Sequence, residues 1–228
     1  MKFTVNPKTK LLSILLAGAI AAFSSCKKND DDGMHVSAYL MITNAAEGSA
    51  PQDMYVDNAK LSGSTVAYTQ SSNYLTTSSG DHQAQFVTSG TSTANASFNL
   101  SLQGGHYYSV YYTGGASASS SNYVVAEDDH STPPSGKARV RFINLSAALN
   151  SAVDFGISGG NKLVSGLAYR AASAYYDVDA STSFALYLAG SSSVTLNIPT
   201  TIQAGKIYTV YISGATTATA TYHIVAQN

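Results

Sequence analysis

Apolar and polar residues alternate in short runs along most of this chain, and no stretch keeps the helical period of 3.6 residues. In residues 97–102, Phe and Leu alternate with Ser and Asn, as in a strand with one buried face. Val140 and Phe142 alternate in the same way with two arginines, Arg139 and Arg141. We expect the arginines to face water and the apolar pair to face a core. The runs are separated by Gly, Ser, Asn and Asp, which predicts many short strands.

The chain also repeats itself at an offset of 100 to 102 residues. The matching segments include 38–44 with 138–144, 53–56 with 154–157, and 103–111 with 203–211. Each copy holds about seven strand-like runs, the number that an Ig-like sandwich needs. The sequence therefore predicts an all-β protein with two tandem Ig-like (Greek-key) β-sandwich domains.

The predicted domain boundaries follow from composition. The first sandwich is assigned to residues 37–126 and the second to residues 137–228. Residues 127–136 combine charge, a glycine and the pair Pro133-Pro134, which is typical of a linker held extended by proline.

The N-terminus is predicted to be an export signal. Three lysines precede the apolar run 11–23, which is shorter than the roughly 20 residues that span a bilayer. Two serines then lead into Cys26, the only cysteine of the chain. This segment resembles the lipobox of bacterial lipoproteins, which implies a cleaved signal peptide at 1–25 and an acylated tether at 26–36. The expected anchor at Cys26 gives the protein a membrane partner.

The charged segment 27–33 begins the tether and has two interpretations. It resembles the surface-export signal of Bacteroidetes lipoproteins, and it equally fits a hydrophilic spacer without apolar residues to bury. We expect an outer-membrane lipoprotein of the cell envelope that faces outward.

Tyrosines suggest two different roles. Tyr108 and Tyr208 follow an aliphatic residue and a glycine at the same spacing, which resembles the tyrosine corner of Greek-key sandwiches and implies a structural role. Tyr107 and Tyr111 alternate with core positions and would expose two rings about 7 Å apart, a stacking platform for a sugar or peptide. The favoured alternative is that these two rings pack against loops or the sister domain.

The second repeat carries a family resemblance. Its segments 138–146, 153–155, 163–169 and 204–210 are similar to the bacterial domain-of-unknown-function family 4397, an Ig-like module of secreted and surface proteins. The resemblance covers most of residues 137–228, and residues 37–126 match more weakly. It implies a β-sandwich outside the cytoplasm and brings no catalytic or binding residues.

Candidate chemistry is sparse. No histidine pair has the spacing of a zinc-protease motif and no Gly-x-Ser-x-Gly occurs, so we predict no catalytic residue, metal or cofactor. Asp53 and Asp154 match between the repeats, which indicates a shared turn or strand-end role. Asp177 and Asp179 share one strand face, where calcium is conceivable but solvated charge is favoured. The linker residues 128–130 give the same choice.

Charge differs between the two halves although the chain as a whole carries −1. Residues 37–136 carry a net −6 and residues 137–228 a net +3, so we expect the domains to dock on each other or stack head to tail between molecules. No basic field is available for nucleic acid.

The predicted function is non-enzymatic binding or structure, with a glycan or protein ligand. The alternatives are a hydrolase with a site in the loops or at the domain interface, and an adhesin or polymerising surface subunit.

Overall fold

The computed structural model describes residues 36–114, 119, 121–149 and 151–228. The predicted signal peptide, Cys26 and the tether up to residue 35 lie outside the described residues. No helix in the described part is long and apolar enough to cross a membrane.

The described residues fold into strands, joined by turns and one short 3-10 segment (Ala147–Leu149). The strands of the first repeat are β1 (Ser37–Asn44), β2 (Gln52–Val56), β3 (Ala59–Lys60), β4 (Leu75–Ser78), β5 (Gly80–Thr88), β6 (Ala94–Leu102), β7 (Tyr107–Tyr112) and β8 (Tyr123–Asp128). Those of the second repeat are β9 (Lys137–Asn144), β10 (Val153–Ile157), β11 (Lys162–Leu167), β12 (Tyr176–Asp179), β13 (Phe184–Leu188), β14 (Val194–Ile198), β15 (Ile207–Ser213) and β16 (Thr221–Ala226). Strand β8 thus runs two residues into the predicted linker.

Each repeat forms two four-stranded sheets with the same connectivity. In the first repeat the strand orders are β4-β1-β7-β8 and β3-β2-β5-β6. In the second they are β12-β9-β15-β16 and β11-β10-β13-β14. The pairs β1–β7 and β9–β15 are parallel and the other pairs are antiparallel. The all-β, sandwich-like architecture predicted from the sequence is confirmed.

Each sandwich buries its own apolar core between its two sheets. Leu40, Ile42 and Val110 lie in the first core, where Phe98 and Leu100 meet them from the opposite sheet. The second core is built at equivalent positions and includes Val140, Phe142, Phe155, Phe184 and Val210. The inward direction predicted for Val140 and Phe142 is confirmed, since both are fully buried.

A third apolar cluster joins the two repeats. Tyr111 of β7 and Tyr211 of β15 meet edge to face, with their ring centroids 5.7 Å apart. Val124, Ile143 and Leu145 complete the centre of this cluster. The outer faces of the sheets β4-β1-β7-β8 and β12-β9-β15-β16 therefore pack against each other, and both repeats belong to one compact unit of stacked sheets.

This packing corrects the prediction that both arginines of β9 face water. Arg141 is only 1% exposed and lies between the repeats, where it pairs with Asp128. The Arg139 side chain is 14% exposed and pairs with Asp129 and Asp177. Alternation reports that the two faces of a strand differ, but it does not distinguish water from another protein layer with polar groups of its own.

Candidate functional site

The interface between the repeats contains a buried polar network centred on Arg141. Its Nη2 donates to the carboxylate of Asp128, and both side chains are almost completely buried. Its Nη1 donates to the carbonyl of Glu127 at 2.8 Å, and its Nε donates to Oγ1 of Thr209 at 2.8 Å. All three guanidinium nitrogens thus have an acceptor, as a buried arginine requires.

Asp128 is equally well satisfied. Its Oδ2 accepts from the Tyr74 hydroxyl at 2.6 Å and from Oγ of Ser109 at 2.8 Å. Nε2 of Gln227 donates in turn to Oγ of Ser109 at 3.2 Å, so the network contains groups from both repeats. A fully partnered buried network fixes the geometry of its members.

The equivalent positions of the other repeat carry a neutral version of this arrangement. The Tyr175 hydroxyl donates to Oε1 of Gln227 at 2.9 Å, as Tyr74 donates to Asp128. Met41, which is buried, occupies the register position of Arg141 on the parallel strand pair. The two repeats therefore face each other with approximate two-fold symmetry, and the ion pair breaks that symmetry.

A stack of rings extends from this network to the surface. Tyr107 is sandwiched between Tyr39, with centroids 4.5 Å apart, and His130, with centroids 3.9 Å apart. Tyr74 packs edge-on against both Tyr107 and His130. Offset and edge-to-face contacts of this kind stabilise aromatic clusters beyond their buried area.

Hydrogen bonding fixes the tautomer of His130. Its Nε2 lies 3.1 Å from the Tyr74 oxygen, whose hydrogen is already donated to Asp128. Nε2 must therefore carry the proton, which leaves Nδ1 as an acceptor, and no described residue donates to it. Burial lowers the pKa of His130 by more than the charges of Asp128 and Asp129 raise it, so the pKa lies below its ordinary value. The imidazole is therefore neutral near pH 7.

His130 opens into a surface groove with a volume of about 460 Å³, which we call the histidine groove. Its walls include His106, Tyr107, Glu127, Asp129, His130 and Tyr175. Glu127 accepts from Nδ1 of His106 at 2.6 Å, and Asp129 is paired with Arg139 at 2.9 Å. The groove is rich in acceptors and ring surface, and the charge of Asp129 on its wall is balanced by Arg139.

The comparisons with known proteins bear on family and fold. The family model described as "Domain of unknown function (DUF4397)" matches residues 38–156. That is more than half of the 228 residues. The chain belongs to this family. The match to DUF4397 covers the first repeat and continues through β9 and into β10, whereas the stronger resemblance was expected in residues 137–228.

No curated protein matches the chain. Among solved structures, it is similar to a carbohydrate-binding module of family CBM26 from Eubacterium rectale Amy13K, solved in complex with maltoheptaose. The sequences are 14% identical, the alignment covers 81% of this chain and 96% of that chain, and the TM-score is 0.29. This likeness is too distant to transfer a ligand or a site.

The structure separates the two tyrosines that were predicted as an exposed platform. Tyr111 is 0% exposed because the sister repeat covers it, so a platform of Tyr107 and Tyr111 is wrong. Tyr107 is half-buried and both faces of its ring are occupied by Tyr39 and His130. Tyr111 instead packs against the sister repeat, which was the favoured alternative.

The other tyrosine pair makes the hydrogen bonds that a tyrosine corner requires. The hydroxyl of Tyr108 accepts from the backbone N–H of Gln103 at 3.0 Å, five residues upstream. Tyr208 accepts from the N–H of Gln203 at 3.2 Å. Each bond ties the turn before the strand to the start of that strand.

The aspartates singled out in the sequence have cationic partners. Asp53 of β2 pairs with Lys60 of β3 at 2.8 Å within the first repeat. Asp154 of β10 pairs with Lys162 of β11 at 2.6 Å within the second repeat, in the equivalent place. Asp177 and Asp179 are bound by Arg139 and Lys137 of the neighbouring strand. Within the described residues, no group of three or more His, Cys, Asp or Glu is placed to hold a metal ion.

Sequence reasoning missed Tyr74 and His130 as parts of a site. Tyr74 precedes a short, weakly patterned strand, and His130 lies in the segment interpreted as a linker. The available signal was the cluster 128–130, whose acidic and imidazole groups were considered only as a metal site.

Proposed function

We propose that this chain is a non-catalytic binding protein of the cell envelope and that the histidine groove holds a neutral sugar. The observation that carries the proposal is His130, held neutral with Nδ1 as an accessible acceptor at the edge of a ring stack. Small-molecule sites combine apolar or aromatic walls with a few fixed polar groups.

The chemistry of the groove suits hydroxyl groups. Sugar hydroxyls are donors, and Glu127, Asp129 and Nδ1 of His130 offer acceptors around one cavity. The nearby cations Arg139 and Arg141 are committed to Asp129, Asp177 and Asp128, which leaves little attraction for an anionic ligand. The rings of His130 and Tyr175 add apolar surface to the groove wall beside these acceptors.

The same groups argue against the hydrolase alternative. Glycoside hydrolysis needs one carboxylic acid that stays protonated near neutral pH. Burial raises the pKa of Asp129, but hydrogen bonds from Ser131 and the charge of Arg139 lower it below its ordinary value overall. Asp129 would thus be ionised and a poor proton donor.

The lipid anchor is also a proposal, supported by the lipobox-like sequence that ends at Cys26. Protease treatment of intact cells tests the orientation, with lysed cells as control. Digestion on intact cells supports an outward-facing protein, and protection until lysis refutes it. A Cys26→Ala variant, recovered in the soluble fraction, is expected to show that the thiol carries the anchor.

Glycan binding is tested with the purified full-length protein on an array of neutral and acidic oligosaccharides. We expect binding to neutral members, a loss of about tenfold or more for His130→Ala, and a smaller loss for Glu127→Gln. His82→Ala is the matched control, since His82 lies in β5 and is hydrogen-bonded to Asp57. The proposal fails if no neutral glycan binds, or if His130→Ala retains full binding.

A further inference from the structure

A second groove lies between the repeats at the other end of strand β7, where Thr113 and Gly114 follow that strand. Its volume is about 410 Å³. This end groove is lined by Glu47, Thr113 and Gly114 of the first repeat and by Tyr169, Arg170 and Ala215 of the second. Its size falls within the range of about 300–1,000 Å³ typical of small-molecule sites.

Arg170 places a guanidinium at this groove and has no acidic partner among the described residues. Its Nη2 makes only long hydrogen bonds, to the carbonyl of Gly114 at 3.4 Å and to Oδ1 of Asn122 at 3.3 Å. Its Nε is buried and has no partner among the described residues. A buried donor without an acceptor is costly, so the guanidinium is not fully satisfied by the described residues.

The turn at residue 170 does not require an arginine side chain. Arg170 has φ +62° and the equivalent Thr69 has φ +70°, a left-handed conformation that both residue types disfavour. Each N–H donates to the carbonyl of the equivalent asparagine, Asn144 or Asn44. The turn is therefore shared by the repeats and tolerates threonine, whereas the guanidinium is specific to the second.

Glu47 provides the opposite charge. One of its oxygens, Oε2, accepts from the N–H of Ala215 and from Oγ1 of Thr219, both at 2.7 Å. These two bonds, the Thr219 hydroxyl first, lower the pKa of Glu47 and keep the carboxylate ionised. No described residue donates to its other oxygen, Oε1.

Glu47 and Arg170 line the same groove without forming an ion pair with each other. Each is tied instead to loops of the opposite repeat. Both charges break the approximate symmetry of the interface, since Ala147 and Thr69 occupy the equivalent positions. Two separated charges of opposite sign, each with unused hydrogen-bonding capacity, form a complement to a ligand with an ammonium and a carboxylate.

We propose that the end groove is a binding site for a small zwitterion, a short peptide with free termini, whose carboxylate is received by Arg170 and whose ammonium is received by Glu47. A planar guanidinium is suited to bind a carboxylate through two parallel hydrogen bonds, and Arg170 can offer Nη1 together with Nη2, whose own hydrogen bonds are long. This site is independent of the histidine groove and of the ligand proposed there.

The test is isothermal titration calorimetry of the full-length protein with the dipeptide Ala-Ala and two capped analogues. N-acetyl-Ala-Ala lacks the ammonium, and Ala-Ala amide lacks the carboxylate. We expect Ala-Ala to bind and each capped analogue to bind about tenfold more weakly or worse. Arg170→Gln should remove the preference for the free carboxylate, and Glu47→Gln the preference for the free ammonium.

The matched controls are Lys206→Gln and Asp81→Asn, which remove one exposed charge of each sign away from the groove. Both should bind Ala-Ala like the original protein. The proposal is overturned if Ala-Ala does not bind, if the capped analogues bind equally well, or if the two groove variants leave both preferences unchanged. Urea unfolding of Arg170→Gln and Glu47→Gln ensures that a loss of binding is read only from folded protein.

Discussion

Removal of Asp128 is the most direct test of how the two repeats are held together. In an Asp128→Ala variant, Arg141 stays between the sheets with the carbonyl of Glu127 and the hydroxyl of Thr209 as its acceptors. The charge itself then has no partner, and Tyr74 and Ser109 lose the acceptor that both use.

The magnitude follows from burial. The Arg141 side chain is 2% exposed and the Asp128 side chain 0% exposed, so water screens neither charge. Breaking a buried ion pair from one side costs about 3–5 kcal/mol, because it leaves an uncompensated charge in a medium of low polarity. Domains of ordinary stability have a total unfolding free energy of about 5–15 kcal/mol, so we expect a large part of it to be lost.

The chain supplies its own control, because the equivalent positions hold Met41 and Gln227. A double variant, Arg141→Met with Asp128→Gln, places the same uncharged pair on both sides of the interface. Replacement of a complete buried ion pair by neutral groups is often close to neutral in stability. We expect the double variant to unfold within about 1 kcal/mol of the original protein, although each single variant is strongly destabilised.

Equilibrium unfolding in urea, followed by far-ultraviolet circular dichroism, measures these differences without adding salt. The coupling energy from the double-mutant cycle isolates the ion pair from the hydrogen bonds that each residue makes elsewhere. A cost below about 1 kcal/mol for Asp128→Ala would refute the reasoning, since a desolvated arginine cannot lose its counter-charge at so small a cost. A second unfolding transition in the single variants would indicate that the repeats separate before either sandwich unfolds.

Three further outcomes are expected. Burial lowers the pKa of both His130 and His223 below the ordinary value of 6.5, so the unfolded chain binds more protons than the folded chain at acidic pH. The free energy of unfolding should therefore be full above about pH 6.5 and fall as the pH drops below it. Urea unfolding of His130→Gln should show a flatter dependence of this free energy on pH. Tyr108→Phe and Tyr208→Phe should each cost about 0.5–1.5 kcal/mol by thermal or urea unfolding, because each removes one hydrogen bond to backbone; an unchanged stability would contradict a corner role. Tyr111→Ala should cost about 3–5 kcal/mol through the cavity left at the interface, and a smaller loss would show that the sister repeat collapses into the space.

The inward faces of the strands could be predicted because burial between two sheets leaves a strict period of two. Val140 and Phe142 are apolar at alternate positions, and no polar group could replace them without an unsatisfied partner. The repeat then transferred that assignment to Leu40 and Ile42, which lie in the first core. The all-β class follows from this pattern, and the two sandwich-like halves follow from the pattern together with the repeat.

The outer faces could not be predicted in the same way. The interface between repeats is partly polar, and its charged member Arg141 has the sequence signature of a solvent-facing residue. Whether such a residue is exposed depends on Asp128, which is 13 positions away and was assigned to a linker. Contacts of this kind depend on how two finished sandwiches meet, which local alternation does not encode.

The histidine groove was beyond prediction for a related reason. It needs Tyr74, Tyr107 and His130, which come from three separate segments and meet only after the sheet around β7 has formed. The tautomer of His130 is fixed by Tyr74, whose hydroxyl is bound to the buried carboxylate of Asp128. It is a property of the assembled network and cannot be predicted from residue spacing along the chain.

The duplicated architecture explains where the distinctive chemistry lies. Two copies of one sandwich that pack through the same sheet face place equivalent residues around an approximate two-fold axis, as in an isologous dimer. A dimer of identical chains would repeat every contact on both sides of the axis, so the Arg141–Asp128 pair would form twice. Fusion of the copies allows the positions to diverge, to Met41 against Arg141 and to Thr69 against Arg170. Those unequal pairs lie at the interface between the repeats, beside the two grooves proposed as binding sites.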